Sequence, residues 1–359
     1  MISMVIVFRL FFRFLANCSA PFCRVRKRID VMGIFGKKYK WGVIYTILLI
    51  AFTAYVVLDT FVIARVYAKV SSEENTGIQN VSESTLLANP VMGSTPQATP
   101  EETAEQNNTI PFTGSAVITD NSYSDRNIRI TITKYREYDT TIYVADVRVS
   151  SAEYLQTAFA RGAFGRNITE NTSTIAKANN AILAINGDYY GAQTKGYVLK
   201  NGVLYRESAS GNKEDLVIWV DGSFEIITEG EVTAQTLAED GALQVLSFGP
   251  ALIMDGAIVV SENEEVGKAK ASNPRTAIGI IDELHYLFVV SDGRTSTSEG
   301  LSLYQLAEFM QGLGADVAYN LDGGGSSTMV FNGEVINNPT TNGNNIKERS
   351  VSDIVYIGY

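Results

Sequence analysis

Histidine and cysteine are almost missing from this chain. Its 359 residues include one histidine, His285, and two cysteines, Cys18 and Cys23. Both cysteines lie in a basic N-terminal stretch, so the remainder holds neither a disulfide nor a thiol nucleophile. A His-rich zinc site is excluded, and a divalent cation would need oxygen ligands of the Ca²⁺ or Mg²⁺ kind. The sequence requires no cofactor and leaves the metal question open. A Ser-His-Asp triad could use only His285, which sits inside the apolar run ELHYLFVV and reads more simply as structural. Positive charge is also scarce after the N-terminus. Residues 70–359 carry eighteen Lys/Arg against thirty-seven acids, about −19. So acidic a region has no electrostatic footprint for nucleic acid, and an anionic substrate would have to be held by local donors.

Long apolar runs are equally few. The membrane candidate is WGVIYTILLIAFTAYVVLDTFVIA, residues 41–64, uncharged from Gly42 to Leu58. That approaches the roughly 20 residues of a spanning helix. Arg24, Arg26, Lys27, Arg28, Lys37, Lys38 and Lys40 precede it, and only Arg65 and Lys69 follow closely. The positive-inside rule then puts the N-terminus in the cytoplasm and the acidic part outside. The run is too long for a cleaved signal peptide and no clear small-residue cleavage site follows. An earlier run, MVIVFRLFFRFLA, is short and broken by Arg9 and Arg13, which leaves Met1 and Met32 both open as translation starts. The expected organisation is a basic cytoplasmic segment 1–40, an anchor 41–64, a flexible polar stalk 65–111 and an extracytoplasmic domain 112–359. Ser, Thr, Glu, Asn and Pro dominate the stalk, which cannot offset its ordering entropy by burial.

From about Phe112 the pattern becomes globular. NIRITITKYRE and TTIYVADVRVS alternate like half-buried strands. SAEYLQTAFA reads as a short helix capped by Ser150 or Ser151. TSTIAKANNAILAINGDYY gives a helix and then a buried strand ending at Asn186-Gly187. Asn201-Gly202 and Asp221-Gly222 mark two hairpins. SLYQLAEFMQGLG is the clearest helix, capped by Ser302, with Leu303, Leu306, Phe309 and Met310 on one face and Gly314 as its stop. The fold class expected is α/β in the mixed α+β sense: one hairpin-rich domain with a mixed sheet.

Three consecutive glycines in YNLDGGGSSTMVFNGEVI need an explanation. One is a tight connection between strands. The other is a nest of backbone N–H groups open to an anion, flanked by Ser326 and Ser327. No lysine or helix follows as in a Walker loop. Other apolar runs also end in polar clusters, AIN-GDYY and VVS-DGR, and NPR places Arg275 just before a strand. Gathered at one sheet edge, these would supply Asp188, Asp292 and Asp322, the guanidiniums of Arg275 and Arg294, the amides of Asn186 and Asn320, and Gly323, Gly324 and Gly325. Arginine forks bind phosphate bidentately, and a carboxylate among them could act as general acid or base. Each Asp could instead be a turn residue, since Asp-Gly is a common turn dipeptide.

At these residues the chain resembles the phosphodiester glycosidase family. The resemblance is carried by NPRTAIGI, SDGRTSTSEGLSLYQLAEFMQGLGADVAY and NLDGGGSSTMVFNGEVINNP, in that order. It implies hydrolysis of a sugar-1-phosphodiester that releases the sugar and leaves a phosphomonoester. It also implies site roles for Asn186, Arg275, Asp292, Arg294, Asn320, Asp322, Gly323, Gly324, Gly325 and Ser326. KERSVSDIVYI fits the closing strand and adds Arg349 as a phosphate ligand. Asp188 falls at a variable position of the pattern and is a weaker catalytic candidate than Asp322. The anchor and the dearth of cysteine suit bacterial, exopolysaccharide-related members acting on cell-envelope glycans. The alternative is a module that binds phosphosugar wall polymers without cutting them.

Overall fold

The computed structural model describes residues 40–70, 115–266 and 272–359. The chain divides into two compact units, Met1–Thr60 and Phe61–Tyr359. The first contains nearly all of a 22-residue helix, Lys40–Phe61. At 1.5 Å per residue it is about 33 Å long. Its stretch Gly42–Phe61 has a mean hydropathy of 2.0 and no buried part, so it is long and apolar enough to cross a membrane. The Thr46 and Thr53 hydroxyls donate to the carbonyls of Gly42 and Leu49 at 2.9 and 2.8 Å. Neither polar group is therefore left to an apolar surrounding.

The run expected to continue to residue 64 stops being helical at Phe61, and the expected stalk does not begin as a stalk. Arg65–Lys69 is a strand, paired antiparallel with Ala163–Arg166. The reason is packing: Tyr67 lies 5.8 Å from the Phe164 ring, and Ala68 and Val70 pack on Phe159, Phe164, Tyr190 and Val198. Residues 71–111 of the expected stalk, residues 1–39 and both cysteines lie outside the described residues.

The second unit is built mainly of antiparallel sheets, and the described residues contain four α-helices in all. A mixed sheet was expected, yet among the described residues every ladder between strands is antiparallel; successive strands here return by hairpins and loops. The nine-stranded sheet carries Val317–Asn320, Thr276–Asp282, His285–Ser291 and Thr140–Val149 side by side. One five-stranded sheet has Leu183–Asn186 between Met329–Phe331 and Asp353–Ile357. Another has Val198–Lys200 next to Ala242–Leu246 and Glu214–Trp219.

All three sheets contribute one face to a single core. Ile130, Phe288 and Tyr319 come from the first, Leu183, Ile185 and Val355 from the second, Leu216, Ile218 and Leu246 from the third. Each outer face has its own helix: Leu303–Gly312, Thr172–Ala178 and Ala234–Glu239 respectively. The longest of these starts with a full capping box, Ser302 with Gln305, and is followed by Gly314 at φ +88°. Both expected hairpin turns form, at Asn201-Gly202 and Asp221-Gly222. SAEYLQTAFA is corrected: Ala152–Tyr154 makes one 3-10 turn capped by Ser151, and Leu155–Phe159 is a strand. Its period-two burial pairs it with Asp353–Ile357 at the sheet edge, and that outweighs local helix propensity.

Candidate active site

Strand ends from two sheets meet at Asn186. Its Nδ2 donates to the Asp322 carbonyl at 2.6 Å, and its Oδ1 accepts from Thr276 Oγ1 at 2.8 Å and from the Thr328 amide at 3.2 Å. Fully buried, Asn186 braces the loop that presents Asp322. The Asp322 side chain is 13% exposed, and Arg349 beside it is 41% exposed. Asp322 Oδ2 accepts from Ser326 Oγ at 2.6 Å and from an Arg349 Nη at 3.0 Å. The same guanidinium reaches Ser326 Oγ at 2.9 Å and the Gly323 carbonyl at 3.0 Å. Burial raises the Asp322 carboxyl above the ordinary aspartate range, Arg349 and Ser326 oppose the rise, and the negative charge of Asp188 adds to it. An acid held in this way is a better proton acceptor than an ordinary aspartate.

Two more guanidiniums stand close by. Arg294 donates to Asn273 Oδ1 at 2.9 Å and to the Thr341 carbonyl at 2.6 Å. Arg275 donates to the Leu301 carbonyl at 2.8 Å and pairs with Glu265 at 2.6 Å. Burial lowers the proton affinity of Arg294, and the positive charges of Arg349 and Arg275 lower it further. Three arginines therefore share one electrostatic neighbourhood.

The glycine triplet is packed against them. A Cβ on Gly323 would come 2.9 Å from the Pro274 carbonyl, one on Gly324 would come 2.8 Å from an Arg294 Nη, and one on Gly325 would strike Thr341 Oγ1. Gly324 also has φ +64°, where glycine is favoured. The amides of Gly324, Ser326 and Ser327 donate to the carbonyls of Pro274, Gly323 and Gly324. Bare backbone is needed here chiefly so that arginines and loops can close on it. The guanidiniums, more than these amides, supply positive charge.

Behind the cleft lies a second set. Lys200 Nζ is 3.0 Å from Asp188 Oδ2 and 2.9 Å from Asp353 Oδ2, with all three side chains almost fully buried. Asp188 also accepts from the amides of Tyr190 at 2.9 Å and Ser247 at 3.2 Å. The Ser247 hydroxyl passes to Glu229 at 3.0 Å, and burial followed by the charge of Glu229 pushes Asp215 up to about 9. Asp353 is likewise raised, by burial and then by Asp188.

The other expected site residues are buried in structural contacts. Asp292 Oδ1 accepts from the Asn338 amide at 2.7 Å, and its Oδ2 from Asn338 Nδ2 at 2.8 Å and Tyr143 Oη at 3.4 Å. Asn320 donates to the Gly249 carbonyl at 2.8 Å, and Ser327 is fully buried. His285 sits on its strand with Nε2 3.0 Å from Asp146. Among the described residues no group of three or more His, Cys, Asp or Glu is placed to hold a metal ion.

Asp188, Tyr189, Phe248, Asp322, Ser326 and Arg349 line one open cleft of about 850 Å³. Its walls hold two acids, a hydroxyl and a guanidinium beside aromatic surface. The phosphodiester glycosidase family model matches residues 179–358, which contain every one of these residues. The chain belongs to that family. It is 30% identical over 201 residues to an uncharacterized SPbeta prophage-derived protein of Bacillus subtilis, YomE, covering 55% of this chain and 31% of that one. It is also 30% identical over 186 residues to human N-acetylglucosamine-1-phosphodiester α-N-acetylglucosaminidase, covering 46% of this chain and 35% of that one. The chain thus spans about a third of the length of the curated relatives it matches. The catalytic domain of the zebrafish enzyme of that name, solved auto-inhibited by its pro-peptide, aligns with a TM-score of 0.52 at 22% identity, over 65% of this chain and 83% of that one. That likeness concerns the fold.

Lys200, Asp353, Asp215 and Glu229 were not among the expected site residues. Two signals were present: Asp353 opens the strand DIVYI and Asp215 sits in EDLVIWV, each an acid in an otherwise apolar run. The raised proton affinity of Asp215 makes a prediction about stability. The unfolded chain releases its proton near pH 4, whereas the folded chain keeps it to about pH 9, so stability is lost as pH rises between those values. Chemical denaturation at pH 5.5 and 8.5 is expected to show a loss of about 4 kcal/mol at the higher pH. Asp215→Asn should flatten that slope; an unchanged slope would remove Asp215 as its source.

Proposed function

We propose that this chain is a membrane-anchored hydrolase of sugar-1-phosphodiesters, cutting the glycosidic C–O bond beside the phosphate. The observation that carries the reading is the convergence of Arg275, Arg294 and Arg349 on the Gly323–Gly325 turn, next to Asp322. Guanidiniums gathered on one turn suit a phosphodiester, whose charge they neutralise through hydrogen bonds. Asp322 takes a proton from water as it attacks the anomeric carbon. The C1–O bond breaks, its electron pair goes to the phosphate oxygen, and the products are the free sugar and a phosphomonoester. Ordinary glycosidases need a second carboxyl to protonate the leaving oxygen. A phosphate leaves as a stable anion, so one base and a set of cations suffice.

The helix Lys40–Phe61 serves as the anchor. The excess of Lys and Arg before it assigns the N-terminus to the cytoplasm and the glycosidase domain to the outside, where envelope glycans with sugar-phosphate linkages are the substrates. The test uses the full chain in detergent micelles with UDP-N-acetylglucosamine and a panel of wall-derived phosphodiesters, in ¹⁸O-labelled water, with and without EDTA. Free sugar carrying ¹⁸O is expected. Label in the phosphate would replace C–O by P–O cleavage, and binding without turnover would favour the wall-polymer binding module.

A further inference from the structure

Lys200 is the one described lysine whose ammonium is enclosed between two buried carboxylates. It stands at the end of Val198–Lys200, before the Asn201-Gly202 turn, where a hairpin lysine would ordinarily face water. Instead its side chain is 2% exposed, with Asp188 and Asp353 both within 3.0 Å. Isolated burial of an ammonium is costly, so the two acids must hold it charged. Their attraction outweighs the burial that opposes it, and the proton affinity of Lys200 is raised.

This arrangement is wired to the cleft. The Gly187 amide donates to the Asp353 carbonyl at 2.9 Å, and the Gly187 carbonyl accepts from the Asp322 amide at 3.4 Å. A Cβ on Gly187 would lie 2.5 Å from Asp353 Oδ1, so Asp353 packs directly on the turn that leads to Asp188. Asp188 accepts hydrogen bonds from the Lys200 ammonium and two backbone amides, all of them donors to an anion. Asp188 and Asp322 line the same cleft.

We propose that Lys200 is a positioning residue for the reaction: with Asp353 it holds Asp188 beside Asp322 and offsets the negative charge that Asp188 places there. The idea rests on the reading of Asp322 as the proton acceptor. It has a clear sign. The negative charge of Asp188 makes Asp322 harder to ionise, and the Lys200 ammonium 3.0 Å from Asp188 stands where it offsets that charge. Other ionisable groups in electrostatic reach of Asp188 or Asp353 include Tyr190, Arg206, Asp215, Asp322 and Tyr319, and Arg349 bonds Asp322 directly. Glu229 faces Asp215 and Arg206 and joins them to Asp188 through Ser247. The Lys200 ammonium is within 3.0 Å of both Asp188 and Asp353.

The experiment reads Asp322 directly and needs no turnover. Full-length protein labelled with ¹³C at aspartate carboxyl carbons is titrated by NMR in micelles, with Asp322→Asn assigning the signal. Lys200→Met should move the Asp322 midpoint up by about one pH unit and Asp353→Asn should move it down. The Lys200→Met/Asp353→Asn pair removes one charge of each sign, and its midpoint should return near that of the parent. The double variant also keeps the test alive if Lys200→Met alone leaves too much buried charge to fold. Where sugar release is measurable, the acid limb of the pH dependence of kcat/KM should follow the same order. Identical Asp322 midpoints in all folded variants would overturn the proposal whether or not the chain hydrolyses any probe. Correct midpoints without sugar release would instead keep this coupling and remove the hydrolase reading.

Discussion

Asp322→Asn is expected to lower kcat for sugar release about a thousandfold while leaving KM within a few fold, in the range typical of removing a general base. The substitution is nearly isosteric. The side-chain oxygen of the introduced amide can still accept from Ser326 and Arg349, and the backbone bracing by Asn186 at 2.6 Å does not involve the side chain. What disappears is the capacity to take a proton. Asp292→Asn supplies the contrast. Asp292 is fully engaged by the Asn338 amide, Asn338 Nδ2 and Tyr143. It pins residue 338 to the end of its strand, so its loss should cost stability of about 1–3 kcal/mol and change kcat less than tenfold. A steady-state comparison of the two purified variants decides the matter. Equal losses of kcat would place the chemistry elsewhere than at Asp322.

Much of this fold could be read from the sequence because its signals are local. Asn201-Gly202 and Asp221-Gly222 specify their hairpins within four residues, and Gly202 and Gly222 have positive φ as such turns require. The helix Leu303–Gly312 carries its own cap, its apolar face and its stop. Local pattern failed where a distant strand decided the outcome. LQTAF became a strand because Asp353–Ile357, almost two hundred residues later, lies beside it. RVYAK became a strand because Phe164 and Tyr190 offered it a surface.

The candidate site divides along the same line. Asp322, Ser326 and the arginine pair were visible as polar clusters at strand ends, Arg349 only through the family resemblance, and the structure brings them together. Asn186 was visible too, but as a ligand and not as the brace that its hydrogen bonds make it. The Asp188–Lys200–Asp353 group was not legible as a unit. Its members come from three separate segments, and only the meeting of two sheets puts the ammonium between the acids.

Gly325→Val should cost at least about 3 kcal/mol of stability, since it combines overpacking with a forced shift of the neighbouring loop. Even the first added carbon would strike Thr341 Oγ1 and come 3.1 Å from the Thr341 Cα, which is backbone and cannot swing away. The displacement would carry the Thr341 carbonyl with it, and that carbonyl holds Arg294 at 2.6 Å. The Arg349 amide donates to the Gly325 carbonyl at 3.1 Å, so a second guanidinium is anchored on the same residue. Stability and phosphodiester binding should therefore fail together. Gly324→Ala separates them. Its Cβ meets the far end of a side chain, an Arg294 Nη at 2.8 Å, so the arginine can be pushed aside while the fold survives at a cost of about 1–2 kcal/mol for the positive φ. Calorimetry with a non-hydrolysable sugar-1-phosphonate should then show affinity reduced about tenfold, the equivalent of one well-made charged hydrogen bond. Unchanged affinity in a folded Gly324→Ala variant would mean that Arg294 does not hold the phosphate. A stable, tightly binding Gly325→Val variant would mean that the triplet serves neither the loop nor the arginines.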